Sequence, residues 1–576
     1  MILKALYDYY ERSKDMPVYG REFKEIGFLI IIDKDGHFLR FEDRRKDDKK
    51  QAQKFLVKKH VGRTCAVVAN CLYDNSGYVF GYSDKSDVQA QYSCFREKVN
   101  EIFKKHPGQP DIIAVHNFYL HDISSILDQM QSDPLWPEIV KNLSKKYSTF
   151  SFLVEGATKI VAEIDELIND EDEGDKEDGN LRVCLVSGRR GISVETTTAT
   201  MIPGSQATAK LVAFQVSSGY DSYGKSKGYN APICEEAEFA YTTALNHLLA
   251  SNSKNKFLIG SRTFLFWASQ NDEAGQKIEN NFLFLLGLGE QKDGPNKTIE
   301  QVRKVFKSVY TGELKTTSED TFYILGLAPN AARIAVTYWA EIPLRKFAET
   351  ICRHFDDMEV VDTRPEQKPY MSLRSILSAV TLGGKSSDAT PNLPDGIVKS
   401  VFQGLPYPQT LFASCIRRIR AESSEKDKNA VHITRAAIIK AYLNRINNNQ
   451  KPIQPMLDKE NTNQGYLCGR LFAVLDKIQE EANNQHSIRE RYMNSASSTP
   501  AAVFSTILNL SNHHVENLKN EGRKIFFEKL KQEIISKIEA DGFKAQLDLQ
   551  DQGRFFIGYY HQRQDFFLKN EDTNNE

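Results

Sequence analysis

The stretch NNNQKPIQPM (residues 447–456), followed by GYLCGRLFAVLDKIQEEAN (465–483), sets the organisation of this chain. Pro452 and Pro455 supply no backbone donor and bias the residues before them away from helical geometry, so a helix is expected to end near Ile446. Beyond the break, Leu467, Leu471, Leu475 and Ile478 recur at spacings of four, four and three, which puts them on one helical stripe that must be buried. Two more stripes follow, Val503, Ile507 and Leu510, then Phe526, Leu530, Ile534 and Ile538, each opposed by charged residues. Together they predict a carboxy-terminal helical bundle over residues 456–576.

Toward the amino terminus the pattern changes. Residues 344–446 read as mostly helical, but FLIGSRTFLFWAS and DTFYILGLAPNAARIAVTYWAE are strand segments, separated by a Pro-Asn turn and a helix in KDGPNKTIEQVRKVFKSVYTG. AEFAYTTALNHLLA is helical, and LRVCLVSGRRG and KLVAFQV read as strands, so residues 181–450 form a central α+β region. Ten acidic residues and one Lys between 163 and 178 suggest an acidic linker or loop over 163–180. Residues 1–162 form a mixed α/β domain. There KEIGFLIIIDKDGHFLRFED is a hairpin turning at Asp35-Gly36, and CAVVANCLYDNSGYVFGYS repeats the pattern with a turn at Asp74 to Gly77. Residues 111–115 read as a further strand, and 89–103 and 120–143 as helices. The fold class is α+β and multi-domain, strand-rich at the amino end and α-helical at the carboxy end.

With 40% apolar and 26% charged residues, the chain has an ordinary globular composition, and no uninterrupted apolar stretch is long enough to span a bilayer. The amino terminus gains charge within a few residues and has no signal-peptide pattern, which points to the cytoplasm and away from membranes. Eight cysteines without a CxxC pair argue against a disulfide framework or a cysteine-rich zinc site. No tandem repeat of solenoid length is present.

Lys plus Arg (75) and Asp plus Glu (76) nearly cancel, but residues 40–63 hold ten basic and four acidic residues. That local excess can neutralise phosphates, and it leads into a Tyr, Asn and Gly-rich turn able to approach base edges. Arg417, Arg418, Arg420, Arg435, Lys440 and Arg445 form a second basic group before the Pro452 break. Catalysis has thinner support. His116, His121 and Asp122 in HNFYLHD fit a metal-dependent phosphohydrolase pair, but no second histidine-acid cluster accompanies them. Neither GxxxxGK[ST] nor GxGxxG occurs, so no nucleotide and no other cofactor is expected, and Cys468 reads as a packing residue.

The segments MILKALYDYYER, YDNSGYVFG, CLVSG, YGKSKGYNAPICEEAEFAYTTALN, FYILGLAPNAARIAV, GLPYPQTLFASCIRRIR, TRAAIIKAYLNR, GYLCGRLFAVLDKIQEEAN and FFIGYYHQRQDFF resemble, in order, those of the large subunit of the type I-C CRISPR Cascade surveillance complex, the Cas-eight-c family. The resemblance implies a subunit without nuclease chemistry. Guide RNA reads the target by pairing, while the large subunit recognises the protospacer-adjacent motif in double-stranded target DNA, supports strand opening and the R-loop, and helps to recruit a helicase-nuclease. The implied partners also include the backbone and guide-processing subunits and copies of a small subunit.

By position, Arg63, Thr64, Asn70, Asp74, Asn75 and Tyr78 match the family's amino-terminal signature. Asn70, Asn75 and Ser76 are the expected duplex readers, with Lys58, Lys59 and Arg63 on phosphates. Asn70 and Asn75 have an alternative reading as turn formers. The carboxy-terminal bundle resembles the small subunit, and in this family an internal start can yield it separately. Met456 fits such a start; Met493 would discard the Leu467 to Ile478 stripe. With 15 basic and 18 acidic residues over 456–576, displaced-strand or backbone contact there would need a local patch, for which Arg523, Lys524, Lys529, Lys531 and Arg563 are the candidates. The alternative to a binding subunit is a metal-dependent nuclease using His116, His121 and Asp122.

Overall fold

The computed structural model describes residues 1–568 apart from 14, 47–50, 62–66, 84–86, 146, 170–180, 201, 215–220, 222, 260, 286–294, 318, 364–370, 426–428, 447–450 and 484–486. Helix α1 (Ile2–Arg12) opens the chain. Two compact units follow from the backbone contacts: Ser13–Val194 with Ala231–Thr243, and Met1–Arg12 with Glu195–Asn230 and Ala244–Glu576. The architecture is mixed, with sheets in the amino-terminal half and helices dominating the carboxy-terminal region.

The first unit holds strands β1 (Arg21–Ile26), β2 (Phe28–Ile32), β3 (Phe38–Asp43), β4 (Gln53–Lys58), β5 (Tyr73–Asp74), β6 (Phe150–Val154), β7 (Leu181–Val183) and β8 (Arg190–Ile192). Its helices are α2 (Ser76–Val79), α3 (Gln89–Lys105), α4 (Pro110–Phe118), α5 (Ile123–Gln131), α6 (Trp136–Asn142) and α7 (Asp165–Asn169), and α8 (Glu235–Leu249) begins in it. The main sheet runs β3-β2-β6-β5, with β2 and β6 parallel and the other pairs antiparallel. Every residue of FLIII in β2 is buried, as in a strand covered on both faces. The expected β2–β3 hairpin forms. Its turn residue Gly36 has φ +87°, and a Cβ there would lie 2.4 Å from the Phe118 nitrogen, so both conformation and space require glycine.

Two expectations in this unit need correction. Residues 111–115 belong to helix α4, not a strand: Gln109 caps it and Pro110 opens it, where a missing N–H costs nothing. The Asp74 to Gly77 segment is not a hairpin turn, because Asn75 caps the short helix α2. The acidic segment starts as ordered structure, with Glu163 accepting the Leu56 N–H at 2.9 Å and Leu167 of α7 buried; its residues 170–180 lie outside the described ones.

In the second unit, β9 (Lys256–Ile259), β10 (Arg262–Ala268), β11 (Thr321–Asn330) and β12 (Arg333–Pro343) form an antiparallel sheet in the order β12-β11-β10-β9. Both expected strand segments are present as β9–β10 and the β11–β12 hairpin. In the described part of KLVAFQV, in contrast, Lys210 forms an isolated bridge with Arg333 and residues 211–214 are not strand. Helices α9 (Glu273–Leu285), α10 (Pro295–Thr311), α11 (Leu344–Met358), α12 (Leu373–Ala379), α13 (Leu393–Gln403), α14 (Gln409–Glu422) and α15 (Ile433–Arg445) follow. Pro295 is the first residue of α10 rather than part of a preceding turn.

Helix α15 ends at Arg445, as the prolines require, and the chain continues into α16 (Gln464–Asn483), α17 (Ser487–Ala496), α18 (Pro500–Glu516), α19 (Glu521–Ile535) and α20 (Leu549–Asp565). The apolar core does not stop at the break. One buried cluster runs from Phe257 to Tyr560 and includes Ile453 itself. Ile453 exchanges two hydrogen bonds with the Asn444 amide, both 2.9 Å, and Pro455 accepts the Val361 N–H at 2.8 Å.

The α16 stripe is buried as expected, and so are Val503, Ile507 and Ile534 of the other two. Leu510 and Phe526 are instead exposed, while Phe504 and Phe527 are buried. The central pair is α16 with α20, whose main chains touch through glycines. A Cβ on Gly469 would lie 1.9 Å from the Phe555 carbonyl oxygen, and one on Gly558 would lie 2.4 Å from that of Tyr466. Beside this seam the fully buried Arg470 donates to Gln562 at 3.0 Å and Glu533 at 3.1 Å, and Tyr559 donates to the buried Asp476 at 2.9 Å.

Gly469→Ala should therefore destabilise the protein although alanine is the better helix former by about 1 kcal/mol. The backbone clash should dominate, costing about 3 kcal/mol or more in urea unfolding, while Gly108→Ala, with nothing within 4 Å, changes little. A second expectation concerns acid. Burial pushes the Glu422 carboxyl up, but Arg435 and Arg418 more than offset this and bring it down to about 2. Its stabilisation is thus complete above pH 4.5 and is lost as pH falls toward 2. Glu422→Gln should cost on the order of 2 kcal/mol at pH 7, a gap that narrows below pH 4.5 in unfolding titrations.

Candidate nucleic-acid interface

The segment 58–78 is held at both ends by hydrogen bonds to carbonyl and carboxyl groups. Strand β4 leaves the ladder at Lys58, whose carbonyl oxygen lies 2.8 Å from the Tyr73 hydroxyl. Immediately after, Lys59 donates its N–H to Gly20 at 2.8 Å, and its ammonium sits 5.2 Å from the centre of the Phe239 ring. Glu22 then fixes His60, accepting from its N–H at 3.2 Å and contacting Nδ1 at 2.8 Å. Burial raises the Glu22 pKa, but the His60 hydrogen bond and charge, with Lys24, outweigh burial and hold it below the ordinary carboxylate value.

On the returning side, Asn70 is buried and its Oδ1 accepts the Val61 N–H at 2.9 Å. Its own N–H donates to Asp74 at 3.1 Å, and the other Asp74 oxygen accepts the Asn75 N–H at 2.9 Å. Asn75 Oδ1 accepts the N–H of Gly77 at 3.0 Å and of Tyr78 at 3.4 Å, capping α2. Both asparagines thus hold backbone groups of the turn. Asn70, Ser76 and Tyr78 are buried, while Asn75 is exposed, and its amide nitrogen has no partner among the described residues. Arg63 and Thr64 lie outside the described residues.

Lys58 and Lys59 face a cleft of about 310 Å³ that also receives Lys98 and Lys105 from α3, against Glu97 and Glu101. Lys98 pairs with Glu101 at 3.2 Å. The α3 lysines were not singled out by sequence, although their separation of seven residues places them on one helical face two turns apart. The run's three described arginines are paired. Arg40 pairs with Glu155 and Arg44 with Glu42, and Arg45 is buried between Asp43 and Glu138.

The second basic group divides in the same way. Arg417 and Arg420 are exposed, but Arg435 and Arg418 bind Glu422, Lys440 donates to the carbonyls of Asp356 and Asp357, and Arg445 is buried against Asp357. In α19, Arg523 binds Glu481 with Nε at 2.9 Å, Lys524 pairs with Glu521, and the buried Lys531 pairs with Glu528. Arg563 of α20 binds Glu480 at 2.7 Å. Lys529 is exposed and lacks an ion-pair partner among the described residues.

The structure does not bring His116, His121 and Asp122 into a shared ligand set. The His116 ring stacks on Phe103 at 4.0 Å between centroids, His121 stacks on His37 at 4.6 Å, and Asp122 caps α5 by accepting the Ser125 N–H. Among the described residues, the group with mutually close metal-ligand atoms is Asp33, Asp35 and His37 in the β2–β3 turn. There Asp33 is already engaged by the N–H groups of Asp35 and His37. No described helix is long and apolar enough to cross a membrane.

No curated protein matches the chain. The sequence model of the CRISPR-associated protein (Cas_Csd1) family matches residues 6–567, from the middle of α1 past the end of α20. With nearly every described element inside that match, the chain belongs to the CRISPR-associated Cas_Csd1 family, the large subunit of the type I-C Cascade complex.

Proposed function

We propose that this large subunit reads the protospacer-adjacent motif in duplex DNA with residues 58–78, without catalysing cleavage, and supports strand opening and the R-loop beside the guide RNA. In this reading it works in the cytoplasm, helps to recruit the helicase-nuclease, and assembles with backbone, guide-processing and small subunits. The observation that carries it is the lysine-lined cleft beside the capped turn. Lys58 and Lys59, with Arg63, supply sequence-independent attraction to phosphates. Asn75 retains an exposed amide donor for a base edge, whereas Asn70, Ser76 and Tyr78 position the turn from within.

Displaced-strand contact at α19 would rest on Lys529 and on Arg523, Lys524, Lys531 and Arg563 exchanging carboxylate partners for phosphate. Separate translation from Met456 remains part of the proposal, with a structural corollary. Gly553 of α20 packs against the Phe412 ring of α14, so a product lacking α14 bares that face and needs another surface to cover it.

Asn75→Asp separates capping from base reading, since aspartate caps equally well but donates no amide hydrogen. In the assembled complex it should preserve thermal stability and cut discrimination between matched and altered adjacent motifs about tenfold or more, on the order of one good base contact. Lys58→Ala with Lys59→Ala should instead weaken both duplexes alike and reduce the salt slope by about one per lost phosphate contact. Unchanged discrimination in Asn75→Asp would move base reading elsewhere. Mn²⁺-dependent cleavage abolished by His121→Ala would overturn the non-catalytic reading. For Met456, expression of the intact gene should give a second product of about 14 kDa, within the size range of a small domain, that Met456→Leu removes.

A further inference from the structure

Cys184 and Cys234 lie 50 residues apart in sequence but meet in the first unit, where the β7–β8 hairpin packs beside the start of α8. The segment before α8 is tied to the hairpin by Leu185 N–H to Pro232 at 2.9 Å, Val194 N–H to Ile233 at 3.0 Å, and a bridge between Ser193 and Cys234. Gly191 leaves the room for this approach, because a Cβ there would lie 2.8 Å from the Cys234 Cβ.

Around the sulfurs the donors are unequal. Cys184 Sγ accepts the N–H of Cys234 at 3.3 Å and of Ser187 at 3.5 Å, while Cys234 Sγ lies 3.8 Å from the Ser187 hydroxyl. Burial raises the Cys184 thiol, but these N–H donors outweigh it and bring the value down to about 7. Burial pushes the Cys234 thiol up, and the adjacent Cys184 adds to this. The two N–H donors thus favour the thiolate at Cys184 over Cys234, an arrangement that fits an attacking and a resolving cysteine. Of the other described cysteines, Cys415 and Cys468 are pushed up to about 12 by burial.

We infer that Cys184 and Cys234 form a dithiol site that exchanges reversibly with low-molecular-weight disulfides. The Cys184 thiolate attacks one sulfur of the small disulfide, whose S–S bond breaks and whose other half leaves as a thiolate. Cys234, after losing its proton to solvent, attacks Cys184 Sγ and expels the second half. Two protein thiols are oxidised to one disulfide, and one small disulfide is reduced to two thiols. The new bond would lock the β7–β8 hairpin to the first turn of α8.

The test uses the full-length protein equilibrated with graded ratios of oxidised to reduced glutathione, then acid-quenched, alkylated and digested with trypsin. The expected result is a linked pair of peptides, VCLVSGR (183–189) with the 228–254 peptide containing Cys234. It should appear at a ratio at least about tenfold lower than any adduct on Cys71, Cys94 or Cys352, and dithiothreitol should reverse it. Cys234→Ser should stop the sequence at a single glutathione adduct on Cys184, with circular dichroism confirming the fold. Cys184 and Cys234 remaining alkylatable where Cys71, Cys94 or Cys352 are modified would overturn the inference, as would an unmodified Cys184 in folded Cys234→Ser.

Discussion

The contact on which the carboxy-terminal half depends is the approach of α16 to α20 at main-chain distance. Gly469 and Gly558 make it possible, each leaving space that the partner's carbonyl oxygen occupies. So close an approach leaves no width for side chains along the seam and sends them to its flanks. There Arg470, fully buried, needs Gln562 and Glu533 in fixed positions, and Asp476 needs Tyr559. An unpaired buried charge is costly, so these bonds turn a tight contact into a single allowed arrangement.

The same seam orders what lies outside the bundle. From α20, Tyr560 donates to the Val361 carbonyl at 2.8 Å and Gln564 accepts from Thr363 at 3.0 Å. Val361 in turn reaches Pro455. The proline-rich stretch is therefore strapped to the core, and a sequence signature of a linker coexists with a continuous apolar cluster on both sides of it.

The first unit was legible where one chemistry dominates. FLIII followed by Asp-Gly has a single reading, and the β2–β3 hairpin follows from it. Two other signals were ambiguous in physical terms. Asn and Gly favour turns, but an Asn side chain that accepts two N–H groups also starts a helix, and Asn75 does the latter. DIIAV is apolar enough for a strand; the preceding Gln-Pro decides for α4. The basic run reads as one patch along the chain, but that reading does not show that Arg45 is internal or that α3 supplies two of the cleft lysines. Helix α20 escaped because it is buried on nearly all sides, including His561 and Gln562, so it carries no amphipathic period.

The glycine seam also has an evolutionary meaning. At Gly469 and Gly558 any larger residue meets backbone on the partner, and backbone cannot be mutated out of the way. A change in one helix has no compensating change in the other, which makes these positions fixed points rather than a co-varying pair. Drift is pushed onto outward surfaces such as the exposed faces of α18 and α19, where Leu510, Ile525 and Phe526 stand free of the core.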